Sequence, residues 1–170
     1  MYKQTLGLLM LLCLLGATNI HAQNEKIKTL FILNFIKNVN WHSDIQTKSF
    51  KVLILGNKQI SNELNSIGLM KSSGLGSLNV AYAKEFTPDN NIDIIVVSKE
   101  SDGIWEQIKT AYQGKPVLII SDNCNGGKKV AGINIIDNGG KLSYEISKKN
   151  IESHNLNATP KLLNLGKQID

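Results

Sequence analysis

The chain has 170 residues, of which 19 are basic and 14 acidic, giving a formal charge of +5, and 42% are hydrophobic. That size suits a single domain with a core of its own. Every basic residue is Lys, a flexible point charge without the planar fork of Arg, which disfavours a dedicated phosphate or nucleic-acid site.

The first segment reads as a secretory signal peptide. Lys3 supplies the positive end, Leu6 to Ala17 an apolar run, and Ile20-His21-Ala22 a cleavage site before Gln23. The run is shorter than the roughly 20 residues a spanning helix needs. The expected organisation is a cleaved signal over residues 1–22 and one domain over residues 23–170, working in the periplasm. Export removes ATP, GTP and NAD chemistry and most nucleic-acid binding. Cys13 leaves with the signal, so Cys124 has no partner for an internal disulfide. An unreactive thiol beside a Gly-rich turn is expected, with an intermolecular disulfide as the alternative.

Glu25 to Val39 carries Ile27, Leu30, Phe31, Leu33, Phe35 and Ile36 at close to a 3.6 period, an amphipathic helix with Asn24 as its N-cap. Lys51 to Gly56 is a continuous apolar run ended by Gly, as in a buried strand. A helix is expected over Ile60 to Met70 and a short strand over Ser77 to Tyr82. Ile92 to Val97 is a second β-branched strand, followed by a helix from Asp102 to Tyr112. Pro116 to Ile120, closing on Ser121-Asp122, is a third. Val130 to Ile136 and Lys141 to Ile146 flank Asp137-Asn138-Gly139-Gly140, whose Asn-Gly pair signals a hairpin. Ser147 to Ile151 and Pro160 to Ile169 read as helices, the second burying Leu162, Leu163, Leu165 and Ile169. The fold class is therefore α/β: a mostly parallel sheet with helices on both faces, Rossmann-like in three layers, and an antiparallel hairpin near the C-terminus.

Chemical motifs are sparse. Gly74-Leu75-Gly76-Ser77 lacks a third glycine and precedes a strand, and the Gly-rich Asn123 to Lys129 has no hydroxyl residue after its Lys. His42, His154 and Cys124 have no metal-ligand spacing. A two-component receiver would need an acidic pair after its first strand and an Asp after its third; Gly56-Asn57 and Ser98-Lys99 stand there instead. No catalytic residue, cofactor or metal is expected. One enzymatic alternative stays open, a hydrolase in which Asp93, Asp102 and Asp122 converge.

The ordered set of segments resembles the YfiR-like family of periplasmic regulators. Lys28-Thr29-Leu30-Phe31-Ile32-Leu33-Asn34-Phe35-Ile36-Lys37-Asn38-Val39-Asn40-Trp41 is similar to that family's opening helix. Val52 to Gly56, Ile92 to Ser98 and Pro116 to Asp122 are similar to its strands. Gly132-Ile133-Asn134-Ile135, Lys141 to Ser147 and Lys161-Leu162-Leu163 are similar to its closing elements. The resemblance implies a homodimeric periplasmic protein that represses a membrane-bound diguanylate cyclase by binding its sensor domain. It would thereby control cyclic-di-GMP and biofilm formation, and an outer-membrane OmpA-like lipoprotein would relieve the repression. Better-known members pair cysteines as disulfides, which this chain cannot do. Two surfaces are candidates. Phe31, Asn34, Phe35 and Trp41 mix aromatics with polar handles, as partner-binding surfaces do. Gly56, Asn57, Ser98, Lys99, Ser121, Asp122 and Asn123 lie at carboxyl ends of strands, where open parallel sheets bind ligands. The alternative function is a periplasmic small-molecule sensor acting with a histidine kinase, using that crevice.

Overall fold

A computed structural model describes residues 23–43, 45, 47–68 and 75–169; the expected signal peptide and the end of the helix expected to reach Met70 lie outside them. Helix α1 covers residues 23–37 of the described chain. Asn24 lies inside α1 and not at its cap, and its amide donates to Asp137 Oδ2 at 3.4 Å. Then follow β1 (Val39–Asn40), β2 (Phe50–Leu55), α2 (Lys58–Gly68), β3 (Leu78–Ala83), β4 (Ile94–Ser98), α3 (Trp105–Tyr112), β5 (Leu118–Asp122), β6 (Ile133–Asn138), β7 (Lys141–Ile146), α4 (Lys148–Ser153), β8 (Asn157–Ala158), α5 (Pro160–Leu165) and β9 (Lys167–Gln168). Short 3-10 turns at Lys99–Ser101 and Gly126–Lys129 follow β4 and β5.

Seven strands form one sheet in the order β3-β2-β4-β5-β6-β7-β9. From β3 to β6 every pairing is parallel; β6 and β7 are antiparallel. Every residue of β4 and β5 is buried, as central parallel strands covered on both faces must be. Alternation then splits their side chains. Val52, Ile54, Ile94, Val96, Leu118 and Ile120 join Ile32, Phe35 and Ile36 of α1 and Ile60 and Leu64 of α2 in one core. Leu53, Leu55, Ile95, Val97 and Ile119 join Trp105, Ile108 and Tyr112 of α3 in the other. Because β3 and β4 flank β2 on opposite sides, the order of strands reverses there. The crevice above the carboxyl ends of β2 and β4 is the topological switch point of the sheet.

Three local expectations are corrected. The expected antiparallel hairpin is present, but its loop is Gly139-Gly140, with φ of 66° and 93°, while Asn138 stays in β6 opposite Lys141. Two positive φ angles are what a type I′ turn demands, and glycine adopts them without strain. The helix expected through Ile169 ends at Leu165 because the chain crosses Tyr144 closely: a Cβ on Gly166 would lie 2.6 Å from that ring. Lys167-Gln168 then pairs with β7, leaving Leu165 59% exposed instead of buried. Finally, α3 begins at Trp105, not Asp102. The Asp102 carboxylate is occupied by the Trp105 indole N–H at 2.7 Å and the Asn125 and Gly126 N–H groups at 3.1 Å each. The β1–β8 ribbon was not foreseen. It ties the end of α1 to the C-terminal region through Val39 opposite Ala158.

Candidate functional site

The first half of α1 lies across the switch-point crevice. Lys28 Nζ sits 3.0 Å from Asp122 Oδ1, at the end of β5, and 3.1 Å from Glu25 Oε1 one turn back. Glu25 Oε2 in turn accepts from the Asn57 amide at 2.9 Å. The turn after β2 positions Asn57: Gly56 has φ 87°, and Asn57 Oδ1 accepts from the Gln59 and Ile60 N–H groups to cap α2. Lys28, Glu25 and Asp122 are all buried.

Their electrostatics follow from the count of charges. Burial works against the Lys28 ammonium, but two carboxylates hold it and its pKa is raised. Asp122 faces one cation and two anions. Burial first, then the Glu25 and Glu100 charges, outweigh Lys28 and push its carboxyl up to about 6. Beside it in register, Ser98 is buried, and its hydroxyl has no partner among the described residues.

The residues expected to line this crevice divide between the two sheet faces. Asn57 and Asp122 bond to α1, Ser98 lies beside Asp122 in register, and Gly56 lies in the turn after β2, where a Cβ would come within 3.0 Å of Ser101 Oγ. Lys99 is exposed on the following 3-10 turn. Ser121 points to the other face, where its hydroxyl lies 2.6 Å from Asn134 Oδ1. There a Cβ on Gly127 would come within 2.5 Å of the Ser121 Cβ, and one on Gly126 within 2.4 Å of Trp105. The Gly-rich loop is thus explained by close packing over the sheet. Asn123 takes φ 56°, and its side chain reaches the Asp137 N–H at 3.4 Å.

Of the aromatic set, Phe35 is fully buried and supports α1 from beneath. Phe31 is half-buried and meets Tyr144 edge-on at 5.3 Å. Asn34, also half-buried, accepts from the Asn38 amide at 2.9 Å. Trp41 donates its indole N–H to the Ile36 carbonyl at 2.8 Å and packs edge-on against Phe50. The outward strip of α1 therefore runs through Leu30, which is 58% exposed, Phe31 and Asn34.

Cys124 is buried, its thiol donating to the Val97 carbonyl at 3.2 Å. Burial, then the Asp102 and Asp122 charges, push it up to about 12, so it carries no thiolate near neutrality. The three acids of the hydrolase alternative do not converge. Asp93 precedes β4 and binds Lys48 at 2.8 Å, Asp122 lies beside the far end of that strand, and Asp102 is held in the loop beside Trp105. Among the described residues no group of three or more His, Cys, Asp or Glu side chains is placed to hold a metal.

Sequence reasoning missed Glu25 and Lys28 as site residues. The signal was present: both occupy the stripe that becomes apolar at Ile32 and Ile36 further along. Charges on a buried stripe need partners, and the partners lie far away in sequence.

The sequence model of a family described as YfiR/HmsC-like matches residues 25–167. A search among curated proteins finds no match. No helix among the described residues is long and apolar enough to cross a membrane.

Proposed function

The chain belongs to the YfiR/HmsC-like family, and on that premise we propose that it represses a membrane-bound diguanylate cyclase by binding the enzyme's extracytoplasmic sensor domain. The family is one of non-catalytic periplasmic regulators of diguanylate cyclase signalling. The family match across residues 25–167 carries this reading. The outward strip of α1 supports it. Leu30 and Phe31 are apolar, Asn34 brings hydrogen-bonding capacity, and the strip is backed by the rigid buried residues Ile32, Phe35 and Ile36.

Repression of this kind requires no bond-making. The regulator needs only a binding preference of a few kcal/mol for one of two sensor states. Release follows when a second partner competes, in this reading an outer-membrane OmpA-like lipoprotein. The functional unit is a homodimer. The crevice at the switch point is occupied by Glu25 and Lys28 of the chain itself.

The test is a pull-down from solubilised membranes with the secreted protein as bait. Recovery of a cyclase, direct binding of its purified sensor domain, and loss of that binding in Leu30→Asp are expected. Retention of no membrane signalling enzyme would contradict the reading.

A further inference from the structure

The two halves of α1 are fastened by different chemistry. Ile32, Leu33, Phe35 and Ile36 are buried in the core beneath the second half. In the first half the long-range side-chain bonds among the described residues join Asn24 with Asp137, Glu25 with Asn57, and Lys28 with Asp122, and Thr29 is buried with its hydroxyl donating back to the Glu25 carbonyl. Ile27 is only half-buried and Leu30 is exposed. Apolar burial is non-directional and tolerates small displacements. A buried ion cluster is held only while every member is in place, since each ion has lost its hydration.

The ground beneath the first half is imperfectly matched. One ammonium serves two carboxylates, Glu25 and Asp122, and the Ser98 hydroxyl is buried without a partner among the described residues. An unpaired buried polar group favours water over its present surroundings. Glu25 and Lys28 stand three residues apart on the same helix, so the pair leaves the crevice together as a neutral unit. Asp122 and Ser98 would then be hydrated in place.

We propose that the first two turns of α1 are a polar latch that opens separately from the second half, pivoting above Ile32 and uncovering the crevice at the carboxyl ends of β2, β4 and β5. The closed state is an internal contact in which the chain occupies its own switch point. This goes beyond the regulatory reading and holds or fails whatever partner the protein binds. The groups that face Asp122 in the closed state are Glu25 and Lys28 from α1, Glu100 from the turn after β4, Ser98 beside it in register and the Cys124 thiol just after β5, while Asn57 from the turn after β2 holds Glu25.

Amide hydrogen exchange, corrected for intrinsic rates, tests it on protein exported from the full-length sequence. In the wild type, amides of residues 27–30 should open at least about tenfold more often than those of 33–37. Lys28→Met leaves two buried carboxylates facing each other at neutral pH. It should raise opening of the first half by about another tenfold and leave the second half within about twofold. Acidification to about pH 5 should close the variant again by protonating a carboxylate. The triple variant Glu25→Gln, Lys28→Met, Asp122→Leu, which removes all three charges, should open its first half no more often than the wild type does. Equal opening of the two halves in the wild type would overturn the proposal, and that comparison decides the matter even where a variant fails to fold. A Lys28→Met effect on both halves together, or on neither, would overturn it as well.

Discussion

The first and second halves of α1 make an instructive pair. Both are helical, adjacent and laid on the same sheet face, yet one is secured by Phe35 and its apolar neighbours and the other by Lys28. Apolar contacts hold under any solution condition that keeps the protein folded. Charged contacts change in strength with protonation state and with the loss of any one partner. Fixed structure and a conditional contact are thereby carried on one element, about one turn apart.

The largest effect that separates the halves is Phe35→Ala. Deleting a fully buried aromatic ring should cost about 3–5 kcal/mol. Urea unfolding measures it, and α1 should lose protection along its whole length, unlike Lys28→Met.

Asp122→Asn probes the polar half through pH. The folded pKa of Asp122, about 6, lies above its unfolded value of 3.8, so the native state binds the proton more tightly. Its share of stability is therefore gained as pH falls through about 6 toward 3.8 and lost as pH rises again. The gain amounts to about 2–3 kcal/mol at one pKa unit per 1.36 kcal/mol. Comparing the two proteins at about pH 7.5 and pH 4.5 isolates it, because carboxylates such as Glu145, lowered by Lys128 and Lys167 against burial, act equally in both. A wild-type and variant pair with parallel pH profiles would show that the Asp122 charge is not strained.

Two smaller effects sharpen the contrast at the outer surface. Trp41→Phe keeps the edge contact with Phe50 but removes the donor to the Ile36 carbonyl, for a loss of about 1 kcal/mol in thermal or urea unfolding. Leu30→Asp should change stability by no more than about 0.5 kcal/mol, since the side chain is already exposed. Its expected effect is on sensor binding, a weakening of about tenfold or more by titration calorimetry.

Much of the fold was legible in the sequence because buried parallel strands announce themselves. Val52 to Leu55, Ile94 to Val97 and Leu118 to Ile120 are unbroken apolar runs, and the sheet keeps them near their expected bounds. What escaped notice depends on contacts between distant segments. The stop at Leu165 comes from the Gly166 approach to Tyr144, and the two-residue strands β1 and β8 define each other only as a pair. The site divides in the same way. Gly56, Asn57 and Asp122 could be placed at strand ends from sequence alone, whereas Lys28 and Glu25 joined them only through the path of α1 over the sheet. Ser121, adjacent to Asp122, belongs to the opposite face because alternate residues of a strand point apart.

The measurement that bears most directly on the regulatory role is the intracellular concentration of cyclic-di-GMP in cells that carry the gene, lack it, or regain it in trans. A repressor of a cyclase predicts a rise on deletion and a return to the starting level on complementation with the wild type, but not with Leu30→Asp. An unchanged concentration across all of these strains would contradict the account.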